Sequence, residues 1–452
     1  MKIRIRIFIC FFLVCFSVFS QNNPLNGSWE GKIQITPQVS LRLVLNVTTD
    51  NEVTSVTMDS PDQGAYGIPV NVNFLDNDSI NVSQSQLGVV YKGKLENGNI
   101  NGIFSQGALT LPLILSPKLS VKRPQTPQPP FSYKVENVTF PSCLDDGLLN
   151  GSLTLPSDFS YQSPVAVLVS GSGTQNRDEE LFEHKPFAVL ADYLANKGIA
   201  TLRYDDRGFD KTTGLQPNST TYENAMDAKG AIEFLRKRGF SDIGVIGHSE
   251  GGLIADMLGS DNNNGLRFIV EIGGPAVAGD SILVYQNEFL LSDGGMPAEY
   301  VSMYIDAMKG LFDSQKDINP IPFDEKSYSI FSDENSTNPV LAPLAKNLKD
   351  NFYSLSPWIK YFINYNPLND IKTISIPMLF IYGEKDTQVP PILNVPILEQ
   401  NIPNAVIKVF PNLNHMMQHC VTGKITEYAD IEETIAEEVL EEITSFILST
   451  KN

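Results

Sequence analysis

The sequence predicts two folded parts: a small all-β domain, then a larger α/β domain built on a mostly parallel sheet with helices on both faces. Three observations predict this. Up to about residue 116, apolar and polar residues alternate over short runs punctuated by turns. Residues 117–130 carry five prolines. From residue 131 onward, uninterrupted apolar runs alternate with stretches of helical spacing.

Each segment has its own argument. Lys2, Arg4 and Arg6 precede the apolar run IFICFFLVCFSVF, and Val18 and Ser20 lead to Gln21. The run is short of the roughly 20 apolar residues that a spanning helix needs. Residues 1–20 therefore read as a signal peptide, and the chain as exported, periplasmic or secreted. Lipidation at Cys15 is the weaker alternative because Val14 is bulky for such a site. After removal of the signal no stable membrane insertion is expected.

In 21–116 the stretches SLRLVLNVTT, PVNVNFLDNDSINVS, VVYKGKLENGNINGIFSQG and LTLPLILS read as strands of a sandwich or barrel. Trp29 reads as structural filling rather than a ligand platform. The proline density of 117–130 marks a semi-rigid linker. In 131–452, YKVENVTF and LLNGSLTLP are strand-like, and VAVLVS, IATLRYD, IGVIG, LRFIVEIGG, IPMLFIYG and AVIKVF follow as strands. Between them KPFAVLADYLANKG, TYENAMDAKGAIEFLRKRG and GGLIADML have helical spacing, as does the C-terminal DIEETIAEEVLEEITSFILST. An interruption at about 276–356, rich in Met, Tyr and Phe, reads as a helical cap whose apolar residues line a substrate pocket.

Composition narrows the function. The formal charge is −19, and −22 once Lys2, Arg4 and Arg6 are removed. Nucleic acid is a poor partner for such a surface, because binding it requires neutralising phosphates. Outside the signal only Cys143 and Cys420 remain, which either pair or sit as core thiols. No Cys/His spacing suits zinc. The sequence is compatible with an oligomer but specifies none.

The chemistry centres on GVIGHSEGG, residues 244–252, where G-x-S-x-G follows a strand and opens a helix. That context suits a nucleophile, Ser249, on a sharp turn that needs small neighbours. A serine needs a base, and the base needs an acid to hold its tautomer, in the chain order Ser, acid, His. Four histidines are available. His248 adjoins the nucleophile and points into structure, and His184 precedes it. His415 follows AVIKVF by a short loop and is preferred to His419 as the base. Asp386, in the loop beyond IPMLFIYG, is preferred to Glu384 as the acid. The oxyanion would be held by the backbone N–H of Glu250 and one amide of Gly171, Ser172 or Gly173. In RYDDRG the charges of Arg203, Asp205, Asp206 and Arg207 would pair among themselves, or Arg207 with Glu250.

Together, GSGTQNRDE, LRYDDRGFDKTTG, GHSEGG, PWIKYFINYNP, IYGEKDTQVP, NLNHMMQ and EYADIEETI resemble the bacterial α/β-hydrolase esterases of the EstD type. These are distant relatives of the prolyl-oligopeptidase and dienelactone-hydrolase groups, and the resemblance covers roughly Phe131 to Leu448. It implies the α/β-hydrolase fold, Ser249, Asp386 and His415 as the triad, and cofactor-free hydrolysis of small, mostly short-chain acyl esters. Thr174 stands where such relatives often have Pro, Asn176 where they often have Asp, and Asp210 in place of a common Gly. These departures bear on substrate range rather than on the reaction. The competing expectations are a serine peptidase or thioesterase of the same fold, and a non-catalytic binder of glycan or envelope.

Overall fold

The computed structural model describes residues 23–34, 40–50, 53–61, 65–107, 109–118, 121–209 and 219–450. The expected signal peptide, with Cys10 and Cys15, and Asp210 lie outside the described residues. The chain forms two compact units, Met1–Ser120 and Val121–Asn452.

The first unit is all antiparallel strand. In chain order these are β1 (Gly27–Gln34), β2 (Ser40–Asp50), β3 (Val53–Ser60), β4 (Ala65–Pro69) and β5 (Asn71–Leu75). Then come β6 (Ser79–Gln84), β7 (Val89–Glu96), β8 (Asn99–Gln106) and β9 (Leu109–Pro117). The sheet order is β4-β3-β2-β1-β9-β8-β7-β6-β5. Its two edge strands, β4 and β5, are separated in sequence only by Val70, so the sheet must curl back on itself. Trp29 is buried in its core with Leu45, Tyr91, Ile100 and Leu113, and its indole N–H donates to Leu25 C=O at 2.7 Å. Strand β3 is not among the runs expected from the sequence, although Val56 and Met58 alternate into that core.

The second unit opens with β10 (Lys134–Pro141) and β11 (Leu148–Leu155). Next come β12 (Val165–Val169), α1 (Pro186–Ala195), β13 (Ala200–Tyr204), α2 (Thr221–Lys237) and β14 (Ile243–His248). After α3 (Glu250–Ser260) and β15 (Ile269–Ile272), four helices intervene: α4 (Gly279–Asp293), α5 (Ala298–Ser314), α6 (Leu341–Phe352) and α7 (Pro357–Asn364). The chain closes with α8 (Leu368–Ile371), β16 (Met378–Gly383), α9 (Pro391–Asn401), β17 (Val406–Phe410), α10 (Ile425–Tyr428) and α11 (Glu437–Ser449).

The strands order as β10-β11-β13-β12-β14-β15-β16-β17, with β11 antiparallel to both neighbours and the run from β13 to β17 parallel. Every residue of β12, β14, β15 and β16 is buried, which explains their unbroken apolar runs. Alternate side chains feed two cores, one on each face of the sheet. The order reverses at β12, which lies between β13 and β14. That reversal opens a crevice at the carboxyl ends of β12 and β14, where ligands of open parallel sheets bind.

Several details depart from the sequence expectations. Residues beyond Val121 in the proline-rich segment belong to the second unit. Arg123 donates to the carbonyls of Ile431, Phe182 and Ala429, each at 2.8 Å, and Gln125 bonds the backbone of Thr434 and Ile435. Those bonds, with Ala436 N–H on Met417 C=O, use backbone groups that a helix would need. The C-terminal helix consequently starts at Glu437 rather than near Asp430. The cap includes α7 and has its own core, with Val301, Tyr304, Met308, Phe312, Leu348 and Ile363. Cys143 is exposed and Cys420 half-buried, and neither is in a disulfide, so neither the pair nor two core thiols describes them.

Candidate active site

Ser249 joins β14 to α3 with φ +53° and ψ −120°, in a region that costs a non-glycine residue free energy. Its neighbours explain how the turn is tolerated. A Cβ on Gly247 would stand 2.1 Å from Gly251 C=O, and one on Gly251 2.1 Å from Val169 C=O. Only glycines let the elbow close. Ser249 N–H donates to Ile272 C=O at 2.9 Å, pinning the elbow to the end of β15.

The acid and base come from the loops after β16 and β17. Asp386 is buried beyond β16; its Oδ1 accepts the N–H groups of Gln388 and Val389, both at 2.8 Å. Its Oδ2 lies 2.6 Å from His415 Nδ1. With Nδ1 donating to that carboxylate, His415 Nε2 is left as an acceptor, the state a general base needs. Gly273, at φ +59°, packs beneath this pair, and a Cβ there would reach 3.0 Å from the ring and 3.4 Å from Asp386 Oδ2. His415 also touches the elbow: its ring centroid is 4.8 Å from that of His248. Glu384 instead accepts Asn412 N–H at 3.0 Å. His419 is exposed between Glu433 and Glu438. His184 is buried against Thr434 and Tyr428, where burial pushes its pKa down to about 4.

The oxyanion donors are corrected in one respect. Gly171 N–H donates to Glu179 Oε1 at 2.7 Å, so this amide is not available to a substrate. Gly171 is small for another reason, since a Cβ there would be 3.1 Å from Ser249 Cβ. Ser172 and Gly173 remain candidates from that loop, opposite Glu250, whose N–H lies in the first turn of α3 and has no intrahelical acceptor. The Glu250 carboxylate is buried and accepts Thr221 Oγ1 at 2.6 Å and the indole N–H of Trp358 at 2.8 Å. This bond from α7 ties the cap to the elbow.

The expected pairing in RYDDRG is also corrected. Arg207 forms a buried two-pronged bond with Asp227, both contacts 2.7 Å, and does not reach Glu250. Arg203 pairs with Asp178 at 3.0 Å and Arg177 with Asp205. The partners come from loops distant in sequence, so spacing within the motif could not reveal them. Asp206 accepts Ser170 Oγ and Gln175 N–H, and burial pushes its pKa up to about 8. Helices α4 and α5 of the cap, with α9, border an open pocket of about 390 Å³. It is lined by Val284, Tyr285, Phe312 and Leu393 together with Asp280, Glu288, Lys309 and Asp313. Burial raises the Tyr285 pKa, and the charges of Asp386 and Glu288 add to it.

A strained serine elbow at the switch point, with a carboxylate–imidazole pair in the loops after β16 and β17, is the arrangement of a known fold. The model of the alpha/beta hydrolase family matches residues 166–420. The chain belongs to the alpha/beta hydrolase family. Among curated proteins it is similar to the esterase EstD of Thermotoga maritima, 30% identical over 274 residues. That match covers 60% of this chain and 58% of the relative. Among solved structures, the esterase Pf2001 of Pyrococcus furiosus is 18% identical with a TM-score of 0.44, covering 70% of this chain and 92% of its own. A proline iminopeptidase of Mycobacterium smegmatis is 15% identical with a TM-score of 0.44, covering 70% and 99%. The resemblance to EstD-type hydrolases in the sequence is thus matched by family and relative alike.

Sequence reasoning missed three residues of this hydrolase site. Gly273 carries no motif of its own, and Trp358 lies within PWIKYFINYNP, where nothing announces its bond to Glu250. Glu179 lies within the GSGTQNRDE stretch, but nothing in its spacing announces contacts with Gly171 and His248.

Proposed function

We propose that the chain is a serine carboxylesterase, with Ser249 as nucleophile, His415 as base and Asp386 as the acid that orients it. The observation that carries this is the 2.6 Å Asp386–His415 bond, together with a serine held at φ +53° in the turn after β14. Ser249 Oγ would attack the acyl carbon while His415 Nε2 takes its proton. The tetrahedral oxyanion would be held by the N–H of Glu250 and an amide of Ser172 or Gly173. Collapse transfers the proton from His415 to the departing alkoxide and leaves an acyl-enzyme, which water attacks by the same path in reverse roles. The non-reacting part of the ester would sit in the pocket bordered by α4, α5 and α9. EstD of Thermotoga maritima, named an esterase, supports the reading. Export through residues 1–20 is part of the same proposal; N-terminal sequencing of the mature chain should begin at Gln21.

The test is a set of p-nitrophenyl esters of increasing acyl length, with dipeptide amides and thioesters alongside. Short neutral esters are expected to turn over fastest, and Ser249→Ala to abolish both turnover and labelling by a fluorophosphonate probe. Faster cleavage of amides or thioesters would reassign the substrate class. A wild-type chain that is not labelled would remove catalysis altogether.

A further inference from the structure

His248 is buried directly behind the nucleophile, and both its ring nitrogens face groups that only accept. Nδ1 is 2.9 Å from Glu179 Oε1, and Nε2 is 3.2 Å from the main-chain carbonyl of His415. A neutral imidazole has a single N–H and satisfies one of these partners; an imidazolium satisfies both. Glu179 is almost wholly buried, and its Oε1 also accepts Gly171 N–H at 2.7 Å. A residue with φ +50° holds that carboxylate in place, since Glu179 itself lies in the left-handed region. Asn176 supports the turn by accepting the N–H groups of Asp178 and Glu180.

These bonds link the three segments that bear the proposed site. Gly171 belongs to the oxyanion loop after β12, His248 is the residue before Ser249, and His415 is the base. The remaining oxygen, Glu179 Oε2, has no hydrogen-bond partner among the described residues, and Glu179 borders a cavity of about 20 Å³. That volume admits no more than a single water. The walls are apolar, with Phe187, Leu190, Ile272 and Met416, so the couple is shielded from bulk solvent. The charged groups facing His248 are Glu179 from the oxyanion loop, Asp386 from the loop after β16, and the His415 ring from the base loop. Burial alone would lower the His248 pKa, but the charge and hydrogen bond of Glu179, the His415 carbonyl and Asp386 more than offset it, and the net shift is upward.

We infer that Glu179 and His248 form a charged positioning couple: His248, kept as an imidazolium, anchors the base loop through the His415 carbonyl while Glu179 anchors the oxyanion loop through Gly171. The inference rests on the proposed triad for its functional meaning, while the charge state of His248 is independent of it. Glu179→Gln keeps the shape and one acceptor oxygen but removes the charge. His248 then titrates within reach of the ordinary histidine value of about 6.5 and loses a donor above it. The activity of this variant relative to wild type should accordingly fall as pH rises from 6 to 8. At pH 8 kcat should drop on the order of a hundredfold, the scale of a misplaced catalytic group, with KM changed less than about twofold. Glu179→Asp should recover part of the loss, because the carboxylate is restored.

The ring state is read directly in wild-type protein labelled with ¹⁵N-histidine, the His248 signals being assigned by their absence in His248→Gln. Two protonated ring nitrogens on His248 at pH 8 are expected. A neutral tautomer there, or a Glu179→Gln enzyme with the wild-type kcat and pH profile, would overturn the inference. If wild type hydrolyses no ester, the esterase reading fails; the ring state and the labelling rate of Ser249 by the fluorophosphonate then still decide on the couple.

Discussion

At the scale of single residues, the site depends on atoms that are absent as much as on those present. Gly273 leaves room for the His415 ring at a φ that favours glycine, so Gly273→Ala adds both a 3.0 Å contact and backbone strain. The strain alone is of order 1–3 kcal/mol, and His415 is the neighbour able to yield. Gly273→Ala should therefore lower kcat more than it lowers the urea midpoint, and a variant that loses only stability would show that the ring does not move. Asp386→Asn tests the pair from the other side. An amide in this place favours the wrong imidazole tautomer, and kcat should fall by about 10⁴-fold with the fold intact. Ester turnover measured against circular dichroism separates the two effects. Ser249, His415 and Asp386 were legible because motif, chain order and strand-end position constrain them together. Glu179 was not, because its partners are a main-chain amide and a histidine 69 residues away.

At the scale of elements, the parallel strands were readable because both their faces are buried, which removes the polar alternation of exposed strands. β3 and β4 were harder, lying at one edge of their sheet with sparse apolar residues. The cap helix α7 makes a contact that no periodicity announces, the Trp358 indole on Glu250 at 2.8 Å. Trp358→Phe keeps the stacked contact with Phe362, whose centroid is 5.2 Å away, but deletes the donor. Glu250 then keeps only Thr221 as side-chain donor to Oε1. Hydrogen bonds to charged groups are worth about 1.5–3 kcal/mol, and the urea midpoint should fall accordingly. If Trp358→Phe unfolds at the wild-type midpoint with unchanged kcat/KM, the cap is not tied to the elbow through this bond.

At the scale of the whole molecule, a buried acid pair makes stability depend on pH. Asp256 of α3 and Glu271 of β15 are fully buried, and burial raises both above the ordinary carboxylate range, each also feeling the other. The space for the Glu271 carboxyl comes from Gly252 and Gly274, where a Cβ would stand 2.9 and 2.2 Å from Oε2. Because the folded-state pKa is the higher one, the native chain holds a proton that the unfolded chain releases above about pH 4. Stability from this source is complete at acidic pH and is lost as pH rises toward about 8, the value to which Glu271 is pushed. Asp206 acts in the same direction. Glu271→Gln should therefore gain on wild type as pH rises from 5 to 8, measured as the difference in urea midpoint. A difference that stays constant across that range would show that the pair does not titrate there.

The sequence by itself determined the class of the fold, the place of the elbow and the identity of the acid and base candidates. These follow from local signals: apolar runs of strand length, glycines at a turn that tolerates nothing larger, and the order in which strand ends deliver side chains. Only the tertiary structure decided which partners the buried charges take. Arg207 goes to Asp227 rather than to Glu250, the Gly171 amide is spent on Glu179, and His248 faces the base loop. Those choices depend on distances between loops far apart in the chain. Desolvation makes an unpaired buried charge costly, so these groups take the partners that the fold brings within reach.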